Sequence, residues 1–202
     1  MENQEEYLSK KRAIEMWDNN DLNKFEVGTT KGLKQIHKYI FQDVFDFAGE
    51  IRNVNISKGN FRFASHLYLE QALNEIDKMP ENNFENIVDK YVEMNVAHPF
   101  REGNGRATRI WLDMMLKDNL QVCVDWYKVD KVDYLLAMER SPVNTLEIKY
   151  LLKGALTNKI YERQVYMRGI QQSYYYENFE QYSINEISKE RDDNEDYYSM
   201  EL

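Results

Sequence analysis

Between Ala97 and Arg109 the chain reads AHPFREGNGRATR, placing a histidine, an acid, two glycines around an asparagine, and three arginines in close succession. Glycine tolerates positive φ, and asparagine enters the left-handed region more readily than most residues. Across Gly103, Asn104 and Gly105, successive N–H groups can therefore converge into an anion-binding nest. A helix starting near Gly105 would add its unpaired N–H groups and its dipole. Arg106 and Arg109, three apart, project from one face of that helix. Two planar guanidinium groups above a nest suit a polyphosphate. Glu102 would weaken anion binding there unless a divalent cation lay between, and Mg²⁺ is commonly held by one or two carboxylates plus substrate phosphates. His98, with an ordinary pKa of about 6.5, is a base available near neutrality. Taken singly, each feature has a plainer reading: a hydrogen-bonded structural histidine, an everyday Gly-Asn-Gly turn, arginines in surface salt bridges. Taken together they read as a phosphate site with a proton acceptor beside it. It is not a P-loop, because no Gly-Lys-Ser/Thr follows.

The flanking sequence must position these groups, and it reads as mostly helical, with only three prolines and eight glycines in 202 residues. EEYLSKKRAIEMW is expected as a first amphipathic helix. TTKGLKQIHKYIFQDVFDF follows, with Leu33, Ile36, Ile40 and Val44 at helical spacing. Thr29 or Thr30 is its expected N-cap. EIRNVNISKGNFRFA alternates around a Lys58-Gly59-Asn60 turn signal and reads as a β-hairpin, with strands near Arg52 to Ser57 and Phe61 to Ala64. HLYLEQALNEIDKM and FENIVDKYVEMNVA are expected helices, the second a core helix with Ile87, Val88, Tyr91 and Met94 on one side. Pro99 disfavours the α conformation in the residue before it, so His98 should sit where that helix stops. Phe100 should turn inward and anchor the loop. RATRIWLDMMLKDN, VDKVDYLLAMER, NTLEIKYLLKGAL and a stretch from about Tyr161 to Glu177 complete the expected helices.

A net charge of −9 argues against a dedicated nucleic-acid binder, whose footprint would be basic. No apolar run is long enough to span a bilayer, and MENQEEYLSKKRAIEMW has no signal-peptide core. A cytoplasmic protein without membrane or nucleic-acid partners is expected. The single cysteine, Cys123 in LQVCVDW, reads as a small core residue.

The run His98-Pro99-Phe100-Arg101-Glu102-Gly103-Asn104-Gly105-Arg106-Ala107-Thr108-Arg109 resembles the Fic family signature His-Pro-Phe-x-Asp/Glu-Gly-Asn-Gly-Arg-x-x-Arg without departures. The resemblance extends upstream through TTKGLKQIHKYIFQDVFDFAGEIR and downstream to about Glu177. It implies a mainly α, Fic-type helical fold with a small β-hairpin flap beside the active site, and transfer of AMP from ATP to a protein hydroxyl. In that scheme His98 deprotonates the target hydroxyl, and Glu102 holds Mg²⁺ on the α- and β-phosphates. Gly103, Asn104 and Gly105 cradle the phosphates, while Arg106 and Arg109 bind the triphosphate tail, Arg109 on the γ-phosphate. The hairpin residues Asn55, Ile56, Ser57, Lys58, Gly59, Asn60, Phe61, Arg62, Phe63 and Ala64 would be the flap that receives a target protein by strand addition. A hairpin that merely covers the core, with Phe61 and Phe63 inward, is the plainer alternative.

Near the C-terminus, Ser173-Tyr174-Tyr175-Tyr176-Glu177-Asn178 resembles the family's inhibitory motif, Ser/Thr-x-x-x-Glu-Gly/Asn. Ser173 and Glu177 share one helical face. By this resemblance Glu177 pairs with Arg109 where the γ-phosphate must sit. Tyr174, Tyr175 and Tyr176 are hydroxyl carriers beside Glu177 and candidates for self-adenylylation. The expected organisation is a single Fic domain over residues 1–187, with an inhibitory helix at about 161–178, and an acidic, mobile tail at 188–202. The arrangement looks bacterial. Two alternatives stay open: a Fic enzyme that mainly removes AMP or transfers another phosphate-containing group, and a nucleotide-binding regulatory module without catalysis. A homo-oligomer also stays open; an assembly holding the terminal helix shut would make the brake concentration-dependent.

Overall fold

The computed structural model describes residues 2–58 and 61–189, with side chains over 4–57 and 62–189. The chain runs through α1 (Glu2–Asp18), α2 (Thr30–Phe41), a hairpin of β1 (Ser57–Lys58) and β2 (Phe61–Arg62), α3 (Leu69–Asp77), α4 (Phe84–Ala97) and α5 (Asn104–Leu120). It continues through β3 (Cys123–Val124), α6 (Lys131–Arg140), α7 (Leu146–Gly154), β4 (Leu156–Thr157) and α8 (Arg163–Tyr175). Among the described residues, no helix is long and apolar enough to cross a membrane.

The mainly α fold with a small hairpin is as expected. α5 is the central helix, packed against α4, α2 and α8, while α1 lies on α2 and α8. Its Ala107, Ile110, Trp111, Leu112, Met114, Met115 and Leu116 are all buried, as a helix surrounded by others requires. On α2 the buried positions Leu33, Ile36, His37, Ile40 and Phe41 follow the helical period. The Thr29 hydroxyl caps α2 by accepting from the Gly32 N–H. On α4, Ile87, Val88, Tyr91 and Met94 are buried on the core side. Cys123 is buried, and burial pushes its thiol up to about 12, which makes it a packing residue.

Three details differ from the sequence reading. α2 ends at Phe41, so Val44 lies in a turn whose N–H bonds back to the Phe41 carbonyl. Stacking of Phe41 on Phe45 and of Phe45 on Phe47 turns the chain toward Gly49, which has positive φ. The hairpin strands are also shorter than Arg52 to Ser57 and Phe61 to Ala64. Among the described residues the paired positions are Ser57 with Arg62 and Lys58 with Phe61, with one long bond beyond them from the Phe63 N–H to the Ile56 carbonyl at 3.4 Å. The Val54 and Ala64 carbonyls, which longer strands would use for pairing, accept from the Arg52 guanidinium instead. The expected turn residues Gly59 and Asn60, and the Lys58 and Phe61 side chains, lie outside the described residues. Third, β3 and β4 pair as a second antiparallel ladder that the sequence reading did not contain. Beyond α8, residues 184–189 are helical, with Ile184 and Ile187 buried. From 190 onward the expected tail lies outside the described residues.

Candidate active site

α4 stops at His98, which takes the left-handed conformation (φ 49°, ψ 64°). A non-glycine residue there costs roughly 1–2 kcal/mol, so the surroundings must hold it. The Arg52 guanidinium does so by donating to the Ala97 and His98 carbonyls, at 3.0 and 2.7 Å. The His98 ring lies under Phe63 of the hairpin, with centroids 3.7 Å apart and planes 16° from parallel. Its Nδ1 faces the Asn95 carbonyl at 3.3 Å. A carbonyl can only accept, so this contact calls for a proton on Nδ1, and in the neutral ring the lone pair is then on Nε2.

The turn that follows is tied down from several directions. Phe100 is buried, and its N–H and carbonyl exchange two 2.8 Å bonds with the Asn104 side chain. Asn104 therefore spends its amide on closing the loop, and only its backbone is left for an anion. His37 stacks on Phe100 at 3.8 Å, accepts from the Gly49 N–H on Nδ1, and donates from Nε2 to the Glu102 carbonyl at 2.9 Å. Burial lowers the His37 pKa to about 4, so the ring is neutral and keeps this tautomer. Gly103 has φ 76°, and a Cβ there would strike the Phe41 ring at 2.5 Å. A Cβ on Gly105 would lie 2.4 Å from the Glu177 carboxylate and 2.9 Å from Arg109. The bare backbone of Gly105 thus leaves a cradle that Glu177 enters.

Arg106 and Arg109 are both buried. Arg109 donates to the Ser173 hydroxyl at 2.6 Å, the Ser173 carbonyl at 2.9 Å, Tyr134 Oη at 3.3 Å and Glu177 Oε1 at 2.7 Å. Arg106 lies between the rings of Phe41 and Phe179, and its Nε is 2.8 Å from Glu177 Oε2. Its Nη1 is 2.9 Å from Glu5 of α1, and its Nη2 is 3.7 Å from Glu102. None of the three Arg106 nitrogens makes an aligned hydrogen bond among the described residues, so these are charge contacts with N–H directions left to spare.

Glu177 reaches the arginines because α8 ends in a Schellman turn. Asn178 has φ 66°, its N–H bonds to the Tyr175 carbonyl, and the Phe179 N–H bonds to the Tyr174 carbonyl. The turn accounts for a glycine or asparagine after the glutamate. Glu102 is largely exposed, and Oε1 accepts from the Gly103 N–H at 3.0 Å. Among the described residues, no three His, Cys, Asp or Glu side chains cluster as metal ligands. The three tyrosines differ. Tyr174 is buried and burial pushes its hydroxyl up to about 12; Tyr176 is buried and donates to the Val129 carbonyl at 2.8 Å; Tyr175 is 40% exposed, with Lys131 over its ring.

The structure thus brings His98, Gly103, Gly105, Arg106, Arg109, Ser173 and Glu177 to one place, with Phe63 and the hairpin beside them. Sequence reasoning missed Glu5, His37, Arg52 and Tyr134. All four act on residues far away along the chain, and none belongs to a short motif.

Residues 28–116 match the Fic/DOC family. The protein adenylyltransferase VbhT of Bartonella schoenbuchensis is 29% identical over 161 residues, 70% of this chain and 34% of its own length. The probable protein adenylyltransferase Fic of Salmonella typhimurium is 35% identical over 91 residues, 40% of this chain and 46% of its own. The matched stretches thus span about a third to a half of these curated relatives. The same fold occurs in the N-terminal Fic domain of a Bartonella effector protein from Bartonella sp. AR 15-3 (TM-score 0.63, 20% identity, 76% of this chain and 82% of that one). It also occurs in the BepC protein of Bartonella tribocorum with bound AMPPNP (TM-score 0.60, 18% identity, 76% of this chain and 87% of that one). The sequence match over residues 28–116 and the architecture around His98 agree, and both point to a Fic/DOC-type domain in this part of the chain.

Proposed function

We propose that this protein is an autoinhibited protein adenylyltransferase of bacterial cytoplasm, transferring AMP from ATP to a hydroxyl of a target protein. The observation that carries the reading is the Glu177 carboxylate. It bridges Arg106 and Arg109 in front of Gly105, at the far end of a turn that begins with His98. An anion is already bound where the nest, the helix start and two guanidiniums converge, and it belongs to the chain itself. The names of the relatives, and the AMPPNP held by BepC, support ATP as the anion that competes with it.

In this reading His98 Nε2 takes the proton of the target hydroxyl. The hydroxyl oxygen bonds to the α-phosphorus while the α–β bridging bond breaks and pyrophosphate leaves. The Gly103–Gly105 backbone and the start of α5 stabilise negative charge on the phosphates. Arg106, with N–H directions to spare, takes the phosphate tail beside Arg109 once Glu177 withdraws. Glu102 is the residue that would hold Mg²⁺. A single exposed carboxylate fits a cation that draws its remaining ligands from water and phosphate, and the cation would neutralise phosphate charge. The hairpin receives an extended segment of the target by strand addition, which asks little of its sequence. Tyr175, the exposed member of the triplet, is the first candidate for self-adenylylation; Tyr174 and Tyr176 become accessible only if α8 leaves its place.

The test is Glu177→Gly protein incubated with Mg²⁺ and ATP labelled at either the α- or the γ-phosphate. Protein should acquire the α-label and not the γ-label, and His98→Ala should abolish it. Acquisition of the γ-label, or α-labelling indifferent to His98, would reject the reading. A Glu177→Gly protein that binds MgATP but transfers nothing would favour a regulatory module.

A further inference from the structure

Arg52 is 3% exposed, and among the described residues no carboxylate pairs with it. A buried guanidinium without an acid must be repaid by hydrogen bonds. Four carbonyls supply them, and they fall into two groups. Val54 and Ala64, at 2.7 and 2.6 Å, stand just before β1 and just after β2. Ala97 and His98, at 3.0 and 2.7 Å, end α4 and carry the catalytic turn. The Arg52 N–H also bonds to the Pro99 carbonyl, and the Ala64 N–H to that of Val96. Among the described residues the hairpin ladder joins two residue pairs, with one long bond from the Phe63 N–H to the Ile56 carbonyl beyond them, and a ladder that short cannot set its own orientation. The orientation comes from outside, and it brings Phe63 onto the His98 ring.

We infer that Arg52 is a positioning residue that fixes the target-docking hairpin against the catalytic histidine, so that a docked chain and His98 keep one mutual geometry. This rests on the adenylyltransferase reading of the site. The planar fork of arginine reaches both groups of carbonyls at once, whereas a lysine ammonium is a point donor on a flexible stem and can satisfy only part of the set. The position of the nucleotide does not depend on Arg52, because the turn from Phe100 to Arg109 is fixed separately by Asn104 and His37.

The chain has three histidines, His37, His66 and His98, so each imidazole can be followed by ¹H–¹³C NMR. In a Glu177→Gly background, Arg52→Lys and Arg52→Met are compared with the parent. The expected result is a downfield move of the His98 Hε1 resonance as it leaves the shielding face of Phe63, with His37 unmoved. The kcat for AMP incorporation should fall about tenfold or more, with the KM for ATP unchanged within about twofold. A His98 resonance and kcat that stay put in both variants would overturn the inference. Movement or collapse of all three histidine resonances in both would also overturn it, by showing a role in the fold at large. If the Glu177→Gly parent transfers no AMP, the proposed activity fails, and the His98 resonance alone decides whether Arg52 sets the geometry.

Discussion

Glu5 pairs with Arg106 at 2.9 Å, so the first helix reaches into the site where the end of α4, the start of α5 and the end of α8 meet. The same guanidinium meets Glu177 at 2.8 Å. Two carboxylates from opposite ends of the described chain thus stand at an arginine proposed to serve phosphate. α1 also holds the segment beyond Glu177: Glu6 accepts from the Gln181 and Tyr182 N–H groups, and the buried Lys10 donates to Glu6 and to the Tyr182 carbonyl.

From this follows a prediction for Glu5→Gln in the otherwise wild-type protein. Removing one of two competing carboxylates should tighten MgATP binding by about fivefold, on the order of 1 kcal/mol. Isothermal titration measures it. Unchanged affinity would mean that Glu5 only supports the fold.

Asn178 gives a second, independent handle on the proposed brake. Its left-handed backbone closes the Schellman turn that aims Glu177. Asn178→Gly should keep both Tm and basal labelling, because glycine adopts this conformation without strain. Asn178→Val should cost about 1–2 kcal/mol at the turn and raise labelling. Equal labelling of the two variants would separate the turn from the brake.

His37 should make stability pH-dependent. Its folded pKa is depressed to about 4, while in the unfolded chain it is near 6.5. Between those values the unfolded state binds the extra proton, so the stabilisation is complete above about 6.5 and lost as pH falls toward 4. Its full size is on the order of 3 kcal/mol. Asp113 runs the opposite way. Burial raises its pKa to about 6, so its contribution is lost as pH rises through that value. Comparing wild type with His37→Gln cancels Asp113. The stability advantage of the wild type should shrink from pH 7 to pH 4.5 in urea titrations; a constant difference would contradict the assignment of His37 as a neutral clamp.

The parts of the site legible in the sequence are those whose residues lie close along one element. His98 to Arg109 is a turn and two helical turns; Ser173 and Glu177 are one helical turn apart. Thr29 as a cap, Phe100 as an anchor and Cys123 as a core residue were legible for the same local reasons. Glu5, Arg52 and His37 were not, because their roles exist only once distant segments meet. The hairpin was read too long because alternation in sequence does not say which carbonyls a buried arginine will take. Asn104 was legible as a turn residue, but its side-chain bonds to Phe100 required the folded loop. The β3–β4 ladder is two residues long on each side, too short for any periodic signal.

The account rests most heavily on Glu177 as an anion standing in for phosphate. The direct measurement is the initial rate of α-label incorporation from ATP by wild type and by Glu177→Gly at the same ATP and Mg²⁺ concentrations. Loss of a carboxylate bound by two buried arginines should raise that rate by roughly a hundredfold. Equal rates in the two proteins would contradict the account.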